Sequence, residues 1–135
     1  MTDQAHNLRE LIKERQHRGR VLAVTSGKGG VGKTNTSINL AIALVKRGMR
    51  VIVLDADLGL ANVEVLLGLN SLYNLQHVIS GERSIMQVLV RGPGGIEVVP
   101  GSSGFAKIAD LGPRARQNVL QGLRHLQDNA DYVII

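Results

Sequence analysis

The densest chemistry in this chain lies in Gly27-Lys28-Gly29-Gly30-Val31-Gly32-Lys33-Thr34. The glycines let the backbone take conformations closed to other residues, so successive N–H groups can turn inward as an anion nest. Lys33 sets a full cation beside that nest. Thr34 brings a hydroxyl of the kind that ligates Mg²⁺, and Asn35 follows at once. Glycines, lysine and hydroxyl at the spacing G-x-x-x-x-G-K-[ST] describe a cradle for a polyphosphate. The context agrees: the apolar run Val21-Leu22-Ala23-Val24 precedes the loop, and a helical pattern follows it. The N-terminal end of that helix adds positive potential where the phosphates would sit.

Two carboxylates form the second constellation. Asp55 and Asp57 end the apolar run Val51-Ile52-Val53-Leu54. Ligands of open α/β sheets bind at the carboxyl ends of strands, so both can reach the ligand of the loop, or can cap a turn there. An exposed carboxylate, with a pKa near ~4, is a weak base and is better suited to orienting a water than to deprotonating it. Gly101-Ser102-Ser103-Gly104 ends another predicted strand. It reads either as a contact to nucleotide or dimer partner, or as a connector.

The elements that must position these groups follow from periodicity. Strands are expected over 21–25, 51–55, 96–100 and 131–135. The first of them reads as a parallel strand buried on both faces. Helices are expected over 33–47, with Ile38, Ala41, Ile42 and Val45 inward, and over 113–128, with Ala115, Val119, Leu123 and Leu126 inward. Short helices are expected over 62–69, 75–79 and 84–90, and Gly92-Pro93-Gly94-Gly95 marks a turn. Strands alternating with helices give a doubly wound α/β fold with a mostly parallel sheet. An amphipathic helix over 3–18 stands before it, with Ala5, Leu8, Leu11 and Ile12 on one stripe. Too short to be stable alone, it is expected to dock on the domain or on a partner. Arg18-Gly19-Arg20 reads as a hinge.

Composition sets the limits. With 135 residues, 44% of them apolar, the chain can bury a real core. No cysteine is present, which excludes disulfides and thiolate-bound metal and suits a reducing cytoplasm. Nothing near the N-terminus reads as a secretory signal, and no run approaches a membrane span. The net charge is +5, but the aromatics are only Phe105, Tyr73 and Tyr132. No base-stacking platform follows from that, and specific nucleic-acid binding is not expected.

The spelling K-G-G-V-G-K-T, with its early Lys28, resembles the deviant phosphate-binding loop of the MinD/ParA family of ATPases. The resemblance implies a P-loop fold, ATP and Mg²⁺ as ligands, and an ATP-dependent homodimer in which Lys28 reaches the partner's nucleotide. It assigns Gly27, Lys28, Gly29, Gly30, Val31, Gly32, Lys33, Thr34 and Asn35 to the nucleotide. Leu54-Asp55-Ala56-Asp57-Leu58-Gly59-Leu60-Ala61-Asn62 resembles that family's switch I. On that likeness Asp57 positions the attacking water and acts with Lys28 and Lys33. Thr34 serves the metal, and Asp55 supports either the loop or the Mg²⁺ shell. The nitrogenase iron protein shares the lysine spelling but needs cysteines.

A second likeness lies upstream. Asp3-Gln4-Ala5-His6-Asn7-Leu8-Arg9 fits D-Q-A-x-x-L-R and is similar to the activator motif of the FlhG (FleN, YlxH) family, MinD-like ATPases that control flagellar number and placement. It implies that Asp3, Gln4, Ala5, Leu8 and Arg9 stimulate the FlhF GTPase. Gln4 would help orient water at the partner's GTP. A flagellar transcription regulator or switch component is a further implied partner. A cytoplasmic location is implied, with peripheral attachment to the inner face of the membrane through a C-terminal helix. The likeness covers 3–135, about the first half of a family member, divided as 1–20 and 21–135, and stops before switch II. Little hydrolysis is therefore expected from the chain as it stands. The other readings are a division or partition ATPase, and a binding module that activates a GTPase without turnover.

Overall fold

The computed structural model describes residues 4–9, 19–24, 33–55, 67–101 and 111–135. Its frame is one sheet of five strands: β1 (Arg20–Leu22), β2 (Val51–Leu54), β3 (Val90–Arg91), β4 (Glu97–Val99) and β5 (Tyr132–Ile134). Their order across the sheet is β1-β5-β2-β4-β3. All neighbours are parallel except β3, which runs antiparallel on β4 with Val90 opposite Val98. The mostly parallel α/β fold expected from the alternating pattern is the fold observed.

Helix α1 (Lys33–Lys46) covers one face of the sheet. Ile38 and Ala41 bury there against Val51, Val53, Ile96, Val98 and Ile134, with Ile42 and Val45 at the margin. Gly48 ends the helix at φ 85°, a left-handed conformation that glycine takes without a Cβ penalty. Its N–H donates to the Val45 carbonyl at 2.9 Å, and the Met49 N–H donates to the Leu44 carbonyl at 3.2 Å. This paired closure satisfies two carbonyls at the helix end.

The other face carries α2 (Leu75–Ile79), α3 (Ile85–Val88) and α4 (Pro113–Asn129). Leu75, Val78, Ile85, Val88, Val119 and Leu126 bury with Ile52, Leu54, Val99 and Val133 of the sheet. Strand residues alternate between the two cores because side chains of a strand alternate faces. Ile52 and Val133 thus meet α4's side, while Val51, Val53 and Ile134 meet α1.

Three expectations need correction. The helix read over 84–90 stops at Val88, and Val90-Arg91 pairs as an edge strand instead. Three apolar residues in a row, Val88-Leu89-Val90, suit either state, and pairing to β4 decides the last of them. β1 is not buried on both faces: Val21 is 42% exposed, because β5 is the one strand beside it among the described residues. The hinge fails at Gly19, which is buried and hydrogen-bonded to α4, and at Arg20, which begins β1. Over residues 4–9 the expected N-terminal helix forms, with every one of them exposed, Leu8 by 60%; the rest of its expected span lies outside the described residues. The short helix expected over 62–69 lies mostly outside the described residues.

Candidate functional site

The carboxyl ends of β1, β5 and β2 lie side by side at one end of the sheet. The Val24 N–H donates to the Ile135 carbonyl at 2.9 Å, and the Ile135 N–H donates to the Leu22 carbonyl at 2.9 Å. On the far side of β5, Val53 pairs with Ile134, level with Leu22. Asp55, two residues past Val53, therefore stands level with Val24, separated from it by the width of one strand. With neighbouring strands about 4.8 Å apart, the two chains lie roughly 10 Å from each other. The segment leading into Gly27 and the carboxylate of Asp55 thus share one end of the sheet.

Asp55 is buried, at 7% exposure, and its N–H donates to the Val99 carbonyl at 3.2 Å. That bond continues the β2–β4 ladder one residue beyond β2 and fixes where the chain leaves the sheet. β4 ends alongside, with Pro100 and Gly101 buried. The Pro100 carbonyl accepts from the Leu75 N–H at 2.8 Å, so the start of α2 is tied to the same rim. α1 begins at Lys33, the residue that follows Gly32 in the sequence. Ser37 and Ile38 bury one turn later and seat the helix on the sheet.

Of the residues named from sequence, Asp55 and Asn35 are described with their surroundings. Asn35 is exposed, and Lys33 and Thr34 are described as the opening of α1. Gly27, Lys28, Gly29, Gly30, Val31, Gly32 and Asp57 lie outside the described residues, as do Ser102, Ser103 and Gly104. Gln4, Ala5, Leu8 and Arg9 form one exposed helical stretch, and Asp3 lies outside the described residues. Sequence reasoning missed the tie between Leu75 and Pro100. No local signal tells where the Pro100 carbonyl finds a donor.

A mostly parallel sheet with helices on both faces, a G-x-x-x-x-G-K-T loop after its first strand, and an aspartate at the end of the second define a P-loop nucleotide-binding domain. A family described as an AAA domain matches residues 19–135. The chain belongs to that family, the MinD/ParA-type ATPases. The antiactivator FleN of Pseudomonas aeruginosa is 49% identical over 119 residues, which is 88% of this chain and 42% of FleN. The flagellum site-determining protein YlxH of Helicobacter pylori is 46% identical over 83 residues, 62% of this chain and 28% of YlxH. The septum site-determining protein MinD of Pyrococcus horikoshii, solved with Mg-ADP, superposes with a TM-score of 0.72 at 26% identity, over 87% of this chain and 48% of that one. This chain therefore spans less than half the length of these relatives.

Proposed function

We propose that this chain is the nucleotide-binding half of an ATP-dependent dimerising switch that regulates flagellar number and placement. Residues 27–35 hold the triphosphate. Lys33 neutralises its outer charge through charge-assisted hydrogen bonds. Lys28 extends to the nucleotide of a second copy, so that ATP stabilises the dimer, and Asp57 orients water. The residues suit a divalent cation: Thr34 opens the helix behind the loop, and Asp55 is a carboxylate buried at the same end of the sheet. Mg²⁺ there would offset the charge of the bound phosphates. The likeness to FleN and YlxH supports the flagellar role, and the Mg-ADP complex of the Pyrococcus MinD supports the ligand.

The N-terminal helix is the output to FlhF. The observation that carries this reading is the exposure of Gln4, Ala5, Leu8 and Arg9 on a formed helix ahead of the family domain. A solvent-facing leucine on a short helix has burial left to gain from a partner. The segment enters β1 at its amino end, whereas the phosphate loop leaves from the carboxyl end. No helix among the described residues is long and apolar enough to cross a membrane.

The deciding experiment measures GTP turnover by FlhF with the intact protein and with its Gln4→Ala variant. Stimulation that is lost in the variant supports the reading. Stimulation equal in both, or absent at saturating protein, removes FlhF as the partner and leaves the division or partition reading of the MinD likeness.

A further inference from the structure

The chain crosses from one face of the sheet to the other at the end that carries Asp55. Leu67 and Leu69 pack against the core beneath α1, whereas Tyr73 and Leu75 belong to the core beneath α4. The Leu75 N–H donates to the carbonyl of Pro100, one residue past β4. Residues 70–72 therefore pass over the carboxyl ends of the strands as a strap. Leu72 tops that strap at 87% exposure, the most exposed large apolar residue among the described residues.

The strap is fixed where it meets α2. The Asn74 side chain accepts from the Gln76 N–H at 2.9 Å, and the Asn74 N–H donates to His77 Nδ1 at 3.1 Å. The Tyr73 ring stands edge-on to His77, with centroids 5.3 Å apart. Arg83 stacks on the same ring at 4.5 Å and donates to its hydroxyl at 3.1 Å. With Tyr73, Asn74 and Leu75 held, Leu72 has little freedom left to lose on meeting a partner, and nearly all of its side chain left to bury.

Charge narrows the choice of partner. Residues 67–76 carry no Asp, Glu, Lys or Arg, in a chain whose net charge is +5. Two copies of a chain with that charge repel each other, and they meet at least cost through a stretch that carries none of it. Position points the same way. The phosphate loop follows β1 at this end of the sheet, so copies that each extend Lys28 to the other's nucleotide must face each other here. Resting on the dimerising switch proposed above, we infer that Leu72 anchors the contact between one copy and a second copy of this chain. The contact is self-complementary: each copy's Leu72 buries against the other.

The test compares the intact protein with Leu72→Glu, Leu72→Ser and Leu72→Met, all with Mg²⁺ and a slowly hydrolysed ATP analogue. Because Leu72 is exposed, each variant should keep the melting temperature and the nucleotide affinity of the monomer. By sedimentation the dimer should weaken more than about tenfold in Leu72→Glu and about three- to tenfold in Leu72→Ser, while Leu72→Met stays near the parent. The chain has no cysteine, so Leu72→Cys accepts an environment-sensitive dye at one site. The dye's emission should shift to the blue with the analogue only as protein concentration rises through the range of dimerisation. A shift at every concentration overturns the inference, since nucleotide or the chain itself would then cover Leu72. Undiminished dimers in Leu72→Glu also overturn it and leave the switch reading standing. Parent protein that stays monomeric with the analogue overturns both.

Discussion

Gly19 and Gln127 hold each other twice: the Gly19 N–H donates to the Gln127 carbonyl at 2.8 Å, and Gln127 Nε2 donates back to the Gly19 carbonyl at 3.1 Å. A Cβ on Gly19 would collide with the carbonyl oxygen of Ala130 and come within 3.0 Å of the Gln127 carbonyl oxygen. Both obstacles are backbone, which cannot swing aside as a side chain can. Gly19→Ala should therefore cost about 1–3 kcal/mol, as overpacking does, and lower the melting temperature by several degrees. Gln127→Ala removes one bond and should cost less, about 0.5–1.5 kcal/mol. Thermal unfolding of both variants checks the ranking; an unchanged melting temperature for Gly19→Ala would refute the clasp.

Gly122 makes a subtler contact inside α4. A Cβ there would stand 2.9 Å from Ile85 Cδ1 and 3.2 Å from Ile85 Cβ. Alanine in place of glycine gains about 1 kcal/mol of helix propensity, but overpacking costs about 1–3 kcal/mol. Gly122→Ala should thus be neutral to destabilising. Shortening the neighbour with Ile85→Val removes the closest atom. A double-mutant cycle by denaturant unfolding should then show coupling of about 0.5 kcal/mol or more in the compensating direction. Simple additivity would show that α3 gives way without strain.

Arg50 and Asp131 brace the opposite end of the sheet from the cradle. The Arg50 N–H donates to Asp131 Oδ2 at 2.8 Å, and the Asp131 N–H donates to the Arg50 carbonyl at 2.8 Å. The Arg50 side chain reaches Glu97, with Nε 2.8 Å from Oε1. The hydrogen bond to Glu97 holds the Arg50 guanidinium above its ordinary value, against a small loss from burial. A raised pKa in the folded state means a contribution that is complete below the arginine range and lost only as pH rises through it. It should therefore be flat with pH from neutral upward to that range. Arg50 is about half exposed, so Arg50→Gln should cost no more than about 1 kcal/mol and the difference should shrink in high salt. A larger cost that salt leaves unchanged would mean that the backbone brace had been disturbed.

The legible parts of this fold were the local ones. The run at 51–54 announced a strand, and the stripes Ile38-Ala41 and Val119-Leu126 announced the inward faces of α1 and α4. Patterns of this kind depend on residues within a turn or two of each other. The exposure of β1 and the short antiparallel pairing of Val90 depend on which strand lies alongside, and a single stretch of sequence does not carry that. Gly19 was misread for the same reason: a glycine between two arginines looks free until Gln127, far along the chain, arrives beside it. At the site, the placing of Asp55 at the end of a strand was legible, because an apolar run that stops at a carboxylate marks where the chain leaves the sheet. The tie between Leu75 and Pro100 was not, since it joins two distant stretches with no shared motif.

The loop chemistry predicts two separable failures. Lys33→Ala in the full-length protein should abolish nucleotide binding, because a charge-assisted contact to phosphate is lost. Lys28→Ala should leave binding to the monomer largely intact and prevent ATP-driven dimerisation, since its target lies on the second copy. Calorimetry reads the first effect and light scattering the second. Unchanged affinity in Lys33→Ala would remove the cradle assignment, and normal dimers in Lys28→Ala would remove the role in trans.

Asp55 can be tested so that a metal role and a packing role separate. It is buried at the end of β2, and its backbone is fixed by the bond to Val99. Asp55→Asn keeps the volume and removes the charge. If the carboxylate serves Mg²⁺, nucleotide affinity in the variant should lose much of its dependence on Mg²⁺, by about tenfold or more, while the melting temperature of the free protein changes little. If it serves only the fold, the order reverses. A buried carboxylate whose hydrogen bonds are replaced imperfectly costs about 1–3 kcal/mol, so stability would fall while the dependence on Mg²⁺ stayed as it was. Titrating nucleotide at several Mg²⁺ concentrations beside a melt of each protein decides between them. A fall in stability alone would strike Asp55 from the metal site and leave Thr34 as the protein's ligand there.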